Sequence, residues 1–98
     1  MSIFDYQQID DIIHSRIRLA IMSALVSIDE IDFTSLKNLI KATDGNLSVN
    51  LKKLEDAGYI KVRKEFVSRK PVTSYSLSND GRKAFTSYIE NLEKMLKK

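Results

Sequence analysis

The sequence predicts a single small domain that is mainly α-helical and carries one β-hairpin. Its 98 residues leave room for one hydrophobic core and no second domain. Apolar residues recur at helical spacing in three segments before residue 58 and in one segment after residue 78. Between residues 59 and 77 apolar residues alternate with charged or polar ones on both sides of a basic stretch, which is typical of two strands and their connection.

The first helix is predicted over residues 16–27, after a helical lead-in over residues 1–14. Ser15 is its expected N-cap, because a serine hydroxyl can accept a hydrogen bond from the first helical turn. An acidic turn follows at residues 29–32, and residues 31–33 are predicted to form a short strand beside the hairpin. The residues predicted to be apolar contacts are Ile9, Ile12 and Ile13 in the lead-in and Ile17, Ala20, Ile21, Ala24 and Leu25 in the helix.

Two further helices are predicted at residues 35–42 and 44–57, joined by a tight turn. Thr34 and Thr43 are the expected N-caps, and Gly58 is expected just past the end of the third helix. Two helices joined so closely form a helix-turn-helix, in which the second helix enters the DNA major groove. The residues expected to face the core are Leu36, Leu39 and Ile40 in the second helix and Leu47, Leu51, Leu54 and Ala57 in the third.

The remaining residues predict a hairpin and a long final helix. Strands are expected over residues 59–65 and 72–77, joined by a basic loop at residues 66–71 in which Pro71 stops ladder pairing. Ser78 is the expected cap of a helix that runs to Lys97. This order predicts a winged helix-turn-helix, divided into a lead-in (1–14), a winged-helix core (15–77) and an extended C-terminal helix for dimerisation (78–98).

Positive charge concentrates where the third helix and the hairpin are predicted. Residues 37–70 carry nine lysines and arginines against four carboxylates, a net charge of +5, whereas residues 1–36 carry −4. This distribution favours a phosphate backbone as partner, and amides, hydroxyls and lysines can pair with base edges and phosphates. The alternative is an ordinary surface of solvated lysines. The predicted DNA contacts are Thr34, Ser35, Asn46, Ser48, Val49, Asn50, Lys52, Lys53, Arg63, Lys64, Arg69 and Lys70.

The final helix carries an apolar stripe of about two heptad-like repeats. The stripe predicts a homodimer, because a helix that follows the hairpin has little core left to cover within its own chain. The alternative is that the helix folds back on the first helix. The predicted dimerisation residues are Phe85, Tyr88, Ile89, Leu92, Met95 and Leu96.

The sequence lacks the residues that metal sites, catalytic sites and membrane spans require. The chain has no cysteine and one histidine, His14, which has no partners at metal-binding or catalytic spacing. It also has no phosphate-binding glycine loop and no nucleophile motif. The apolar run at residues 17–26 is too short and interrupted to cross a bilayer, and the N-terminus lacks the positive start of a signal peptide. The sequence therefore predicts a cytoplasmic protein that is not an enzyme and uses no metal or cofactor.

Five segments together resemble a known family: HSRIRLAI at 14–21, DFTSL at 32–36, TDGNLS at 43–48, LKKLEDAGYI at 51–60 and YSLSNDGR at 75–82. In this order they resemble small MarR-like winged-helix transcriptional regulators, which are related to ArsR-like repressors. The resemblance implies a homodimer that binds a palindromic operator in double-stranded DNA. Many relatives carry histidine where this chain has Asn50. The alternative is a winged-helix module that docks on an acidic protein, and the sequence identifies no small-molecule effector.

Overall fold

The computed structural model describes residues 5–97, which form four α-helices and a three-stranded antiparallel sheet. Residues 1–4 of the predicted lead-in and Lys98 lie outside the described residues. The elements are α1 (Arg16–Ser27), β1 (Ile31–Asp32), α2 (Phe33–Ile40), α3 (Asp44–Asp56), β2 (Ile60–Val67), β3 (Lys70–Leu77) and α4 (Asn79–Leu96). Within the described range no helix is long and apolar enough to span a membrane.

The helix starts follow local capping chemistry, with one correction. Ser15, Thr43 and Ser78 each accept a hydrogen bond from the first turn of the following helix, as predicted. The prediction that Thr34 caps α2 is wrong, because Asp32 holds that position. The Asp32 carboxylate accepts from the Ser35 N–H at 3.1 Å, and Thr34 lies inside the first turn. Pairing of β1 with β3 holds Asp32 in an extended conformation, from which its side chain reaches the helix start.

The end of α3 confirms the role of Gly58. This glycine has φ +80°, and the Tyr59 N–H donates to the Leu54 carbonyl at 3.0 Å, which is the Schellman arrangement. Ala57 is the C-cap and is exposed, so the prediction that it faces the core is wrong. Helix α2 ends at Ile40, before the predicted residue 42, because Lys41 adopts a left-handed conformation with φ +59°.

The hairpin is longer and its turn tighter than predicted. The strand order is β1-β3-β2, and β2 pairs with β3 from Ile60–Leu77 to Val67–Lys70. Only Ser68 and Arg69 connect the strands, both with positive φ, as a type I′ turn requires. Pro71 does not stop pairing but lies opposite Phe66. This pair is one step beyond the hydrogen-bonded pair that flanks a two-residue turn, so the proline nitrogen is not needed as a donor to β2.

The core lies where α1 packs against α2, α3 and β3. It includes Met22, which is fully buried but lies outside the predicted stripe. Leu39 was predicted to face the core and is 53% exposed, because the core takes Ile40 as the helical neighbour of Leu36. Only Tyr6–Gln8 of the described lead-in is helical, as a 3-10 turn. The core residues are Ile9, Ile13, Ile21, Met22, Leu25, Leu36, Leu47, Leu51, Leu54, Ile60, Tyr75 and Tyr88.

Candidate nucleic-acid interface

Helix α3 is anchored on one side and polar on the other. Leu47, Leu51 and Leu54 bury almost their whole side chains in the core. Because these residues fix the rotation of the helix about its axis, other positions along it must face outwards. The predicted DNA-contact residues that α3 leaves exposed are Asn46, Ser48, Val49, Lys52 and Lys53.

Asn50 differs from these neighbours, because both ends of its amide are already hydrogen-bonded within the chain. Its Oδ1 accepts from Nη1 of Arg18 at 2.6 Å, and its Nδ2 donates to the carbonyl of Asn46 at 2.7 Å. The side chain is half-buried. Arg18 was not among the predicted site residues. Its position between Ile17 and Leu19 could have indicated a polar contact of this kind, since a charge on a packed helix face needs a polar partner.

Lys52 is held by an ion pair one turn away. Its Nζ lies 2.9 Å from the Asp56 carboxylate, and this contact raises the pKa of Lys52. Both side chains are exposed, so the pair is of the kind that stabilises a helix only slightly. Within residues 5–97, Lys53 makes no salt bridge, which leaves it as the unpaired cation of this face.

The wing, defined here as β2, β3 and their turn, carries one cation that is paired with carboxylates, Arg63, and four that make no salt bridge within residues 5–97, namely Lys61, Lys64, Arg69 and Lys70. Arg63 pairs with Glu30, with an Nε–Oε2 distance of 2.9 Å, and with Glu65 at 2.5 Å. These contacts raise the pKa of Arg63, and the bond to Arg63 lowers that of Glu30. The structure thus places Arg63 as a tie between the wing and the acidic turn. The other predicted wing contacts, exposed and without a salt bridge in the described part of the chain, are Lys64, Arg69 and Lys70.

The wing also exposes an apolar residue that is not among the predicted DNA contacts. Phe66 is 77% exposed and lies opposite Pro71 near the turn. In α2, Thr34 is exposed in the first turn, whereas Ser35 donates its hydroxyl proton to Asp32 at 2.6 Å. The Ser35 bonds lower the pKa of Asp32 and keep its carboxylate ionised at this helix start.

An open cleft of about 670 Å³ lies beside the N-terminus of α3. Arg16 and Lys41 contribute two cations, and no carboxylate lines the cleft. The other lining residues are Ser15, Ile17, Ala20, Ile40, Ala42, Thr43, Asn46 and Asn50. The cleft therefore extends the polar and basic surface of α3 towards the start of α1. Among the described residues, no group of histidine and carboxylate side chains could hold a metal ion.

The apolar stripe of α4 is divided between contacts within the chain and exposure. Tyr88 is only 2% exposed, and its hydroxyl lies 2.9 Å from Nδ1 of His14. Asn91 donates to the Gln8 carbonyl at 2.9 Å, so the lead-in covers this part of the helix. Tyr88 is therefore covered by its own chain, as the fold-back alternative predicts, although the lead-in rather than α1 supplies these bonds. Phe85 and Leu92 are partly buried, whereas Ile89, Met95 and Leu96 are exposed.

Comparison with known proteins agrees with this geometry. The family model described as a winged helix DNA-binding domain matches residues 17–96. An uncharacterized protein of Methanocaldococcus jannaschii is 34% identical over 86 residues, which cover 88% of this chain and 94% of that protein.

Solved structures share the fold at low sequence identity. A transcriptional regulator homologue from Pyrococcus horikoshii OT3 superimposes with a TM-score of 0.81 at 24% identity, over 87% of this chain and 84% of that one. A MarR family transcriptional regulator from Silicibacter pomeroyi gives a TM-score of 0.59 at 18% identity, over 85% of this chain and 57% of that one. The predicted winged-helix fold is confirmed, and the resemblance to MarR-like regulators is confirmed as a likeness in fold.

Proposed function

Because the chain belongs to the winged helix DNA-binding domain family, we propose that it is a sequence-specific transcriptional regulator of double-stranded DNA that acts as a homodimer. The observation that carries the proposal is the division of α3 into a fully buried leucine side and an exposed polar side. In a helix-turn-helix the second helix lies in the major groove. Asn46, Ser48, Val49 and Lys53 then face base edges and groove walls.

The wing supplies backbone or minor-groove contacts in this proposal. Lys64, Arg69 and Lys70 are exposed and make no salt bridge within residues 5–97. Such cations gain most from phosphates, because each neutralised phosphate releases counterions from the duplex. Thr34 and the cleft cations Arg16 and Lys41 are further backbone contacts. Arg63 and Lys52 contribute less, since carboxylates of the same chain already compensate them.

Dimerisation is proposed through the exposed second half of α4. Ile89, Met95 and Leu96 present apolar surface that no described residue covers completely. A two-fold axis would apply each contact twice and would place two copies of α3 roughly 34 Å apart, one turn of DNA. Of the predicted dimerisation residues, Tyr88 has the least surface left to contribute.

The decisive experiment is selection of bound duplexes from a random pool, followed by binding titrations at several salt concentrations. We expect an enriched palindrome and a steep fall of affinity with salt. The double substitution Arg69→Ala with Lys70→Ala should weaken binding to all sequences and reduce the salt slope by roughly two units. Lys83→Ala, an exposed lysine on α4, is the matched control and should leave the slope unchanged.

Absence of duplex binding at low salt and micromolar protein would contradict the proposal. That result would favour the alternative, in which the polar side of α3 docks on an acidic protein. An unchanged salt slope in the wing variant would remove the wing alone from the interface.

A further inference from the structure

One arginine side chain joins three segments of the molecule. Arg18 lies in α1 and is half-buried. Its Nε donates to the carbonyl of Ile12 at 2.5 Å, and its Nη1 donates to Oδ1 of Asn50 at 2.6 Å. The guanidinium is planar and holds its N–H groups in a fixed fork. Its two bonds therefore fix the Asn50 amide relative to the lead-in as well as to α1.

The partners of Asn50 also determine which way its amide points. A guanidinium can only donate and a backbone carbonyl can only accept. The amide oxygen must therefore face Arg18, and the nitrogen must face the carbonyl of Asn46. An amide offers two acceptor lone pairs and two N–H donors. After these two bonds, Asn50 retains one lone pair and one N–H in a defined arrangement.

That remaining pair matches one base edge. In the major groove adenine presents the N6 amino group as donor and N7 as acceptor, and asparagine pairs with both. We propose that Arg18 is a positioning residue that orients the Asn50 amide, so that the protein reads an adenine at one position of each half-site. This inference rests on the proposed DNA-binding function and specifies the base that the site reads.

The test compares duplex selections by the wild type and by Arg18→Met, Arg18→Lys and Asn50→Ala. The wild type should enrich adenine at one fixed position in each half-site. Asn50→Ala should lose that preference by at least about fivefold and keep the other positions. Arg18→Met should weaken it as well, because the amide then keeps only its bond to the Asn46 carbonyl and nothing holds its oxygen. Arg18→Lys should resemble Arg18→Met in base preference while keeping the wild-type salt slope, because lysine retains the charge but not the fork.

A double substitution separates positioning from folding. Arg18→Met combined with Asn50→Ala should show the same base preference at the adenine position as Asn50→Ala alone, since both changes act through the same amide. Asn50→Asp keeps an acceptor for Arg18 and removes the amide donor. It should shift the preference from adenine to cytosine, whose N4 amino group donates to a carboxylate. Thermal denaturation identifies any variant that does not fold, and Asn50→Asp tests the inference if both Arg18 variants unfold.

The outcomes distinguish the inference from the proposed function. An adenine preference that is undiminished in Arg18→Met and Arg18→Lys would overturn the positioning role while leaving DNA binding intact. Equal loss at every position would make Arg18 a structural residue only. Retained adenine preference in Asn50→Asp would exclude Asn50 as the reader. A wild-type protein that selects no duplex would instead reject the proposed function itself.

Discussion

Helices α3 and α4 both carry apolar stripes, but within residues 5–97 only the stripe of α3 is completely covered. Helix α3 has 13 residues and buries Leu47, Leu51 and Leu54. Helix α4 has 18 residues, buries only Gly81 and Tyr88, and leaves Leu96 80% exposed. A covered stripe leaves a helix with a polar outer side for a polar partner. An uncovered stripe leaves apolar surface that a second protein surface can bury.

The position of each helix along the chain explains the difference. Helix α3 is packed against α1 and followed directly by β2, so neighbours surround its leucines. Helix α4 follows β3 at the end of the chain and has few neighbours along its second half. The described residues accordingly form an elongated body of 61 × 25 × 21 Å. The two helices meet at Tyr59. Its N–H donates to the last turn of α3, and its carbonyl accepts from the N–H of Ser78 at the start of α4.

The largest effect is expected at the exposed end of α4. Burying one leucine side chain stabilises by roughly 1.5–3 kcal/mol, and a two-fold axis doubles this, so Leu96→Asp should weaken dimerisation by roughly 3–6 kcal/mol. Light scattering at several protein concentrations measures it. Val49→Asp, at an apolar position on α3 that is also exposed, should leave assembly unchanged. A wild-type chain that stays monomeric at tens of micromolar would contradict the dimer.

Core substitutions test the covered stripe of α3. Leu54→Ala should lower the free energy of unfolding by about 2–5 kcal/mol, because Leu54 is fully buried and leaves a cavity. Leu96→Ala should cost the monomer less than about 0.5 kcal/mol, as an exposed surface change. Urea denaturation at low protein concentration compares the two. Similar costs would remove the distinction between the helices.

The junction of the helices has its own test at Gly81. A Cβ added there would lie 1.9 Å from the Tyr59 carbonyl oxygen, so Gly81→Ala must displace the start of α4 from Tyr59. We expect a loss of about 1–3 kcal/mol in the free energy of unfolding. Gly45→Ala in α3 is the control, because no atom lies within 4 Å of its added Cβ, and it should stabilise the fold slightly. Tolerance of Gly81→Ala would show that α4 can shift freely at its start.

The smallest effect is an alkaline one at Tyr59. Burial, together with the hydrogen bond to Asp10, raises the pKa of Tyr59 from 10.0 to about 12. Folding therefore favours the neutral phenol. The contribution of the Tyr59 phenol to the free energy of unfolding is complete below pH 10 and is lost as the pH rises towards about 12. Tyr59→Phe should cost about 1 kcal/mol at neutral pH and flatten the fall in melting temperature above pH 10. An identical alkaline profile in wild type and variant would contradict this.

The parts of the fold that depend on neighbouring residues could be predicted from the sequence. Ser15, Thr43, Ser78 and Gly58 act through bonds to the adjacent turn, and their roles were predicted correctly. The choice of Asp32 over Thr34 depends on pairing with β3, about forty residues away, which no local pattern contains.

The candidate site divides in the same way. The leucine spacing of α3 predicted which side of that helix is buried. It did not predict that Asn50 bonds to Arg18 or that Arg63 bonds to Glu30, because each partner lies more than 30 residues away in the chain. The charge of Arg63 and the amide of Asn50 indicated DNA as their partner. In the folded chain, each of these side chains already has a hydrogen-bond partner from the chain itself.

The turn of the wing has a consequence for local stability. Ser68 and Arg69 both adopt left-handed backbone conformations, which cost residues other than glycine roughly 1–2 kcal/mol each. Strand β1 pairs only with Ser74 and Tyr75, so the outer hairpin is a ribbon of two strands, and such ribbons are only marginally stable. The amide protons of Val67 and Lys70 should therefore exchange with solvent well before those of the core. A partner that binds Arg69 and Lys70 must keep the two strands of this ribbon paired. Ordering the ribbon therefore reduces the free energy of binding at the wing.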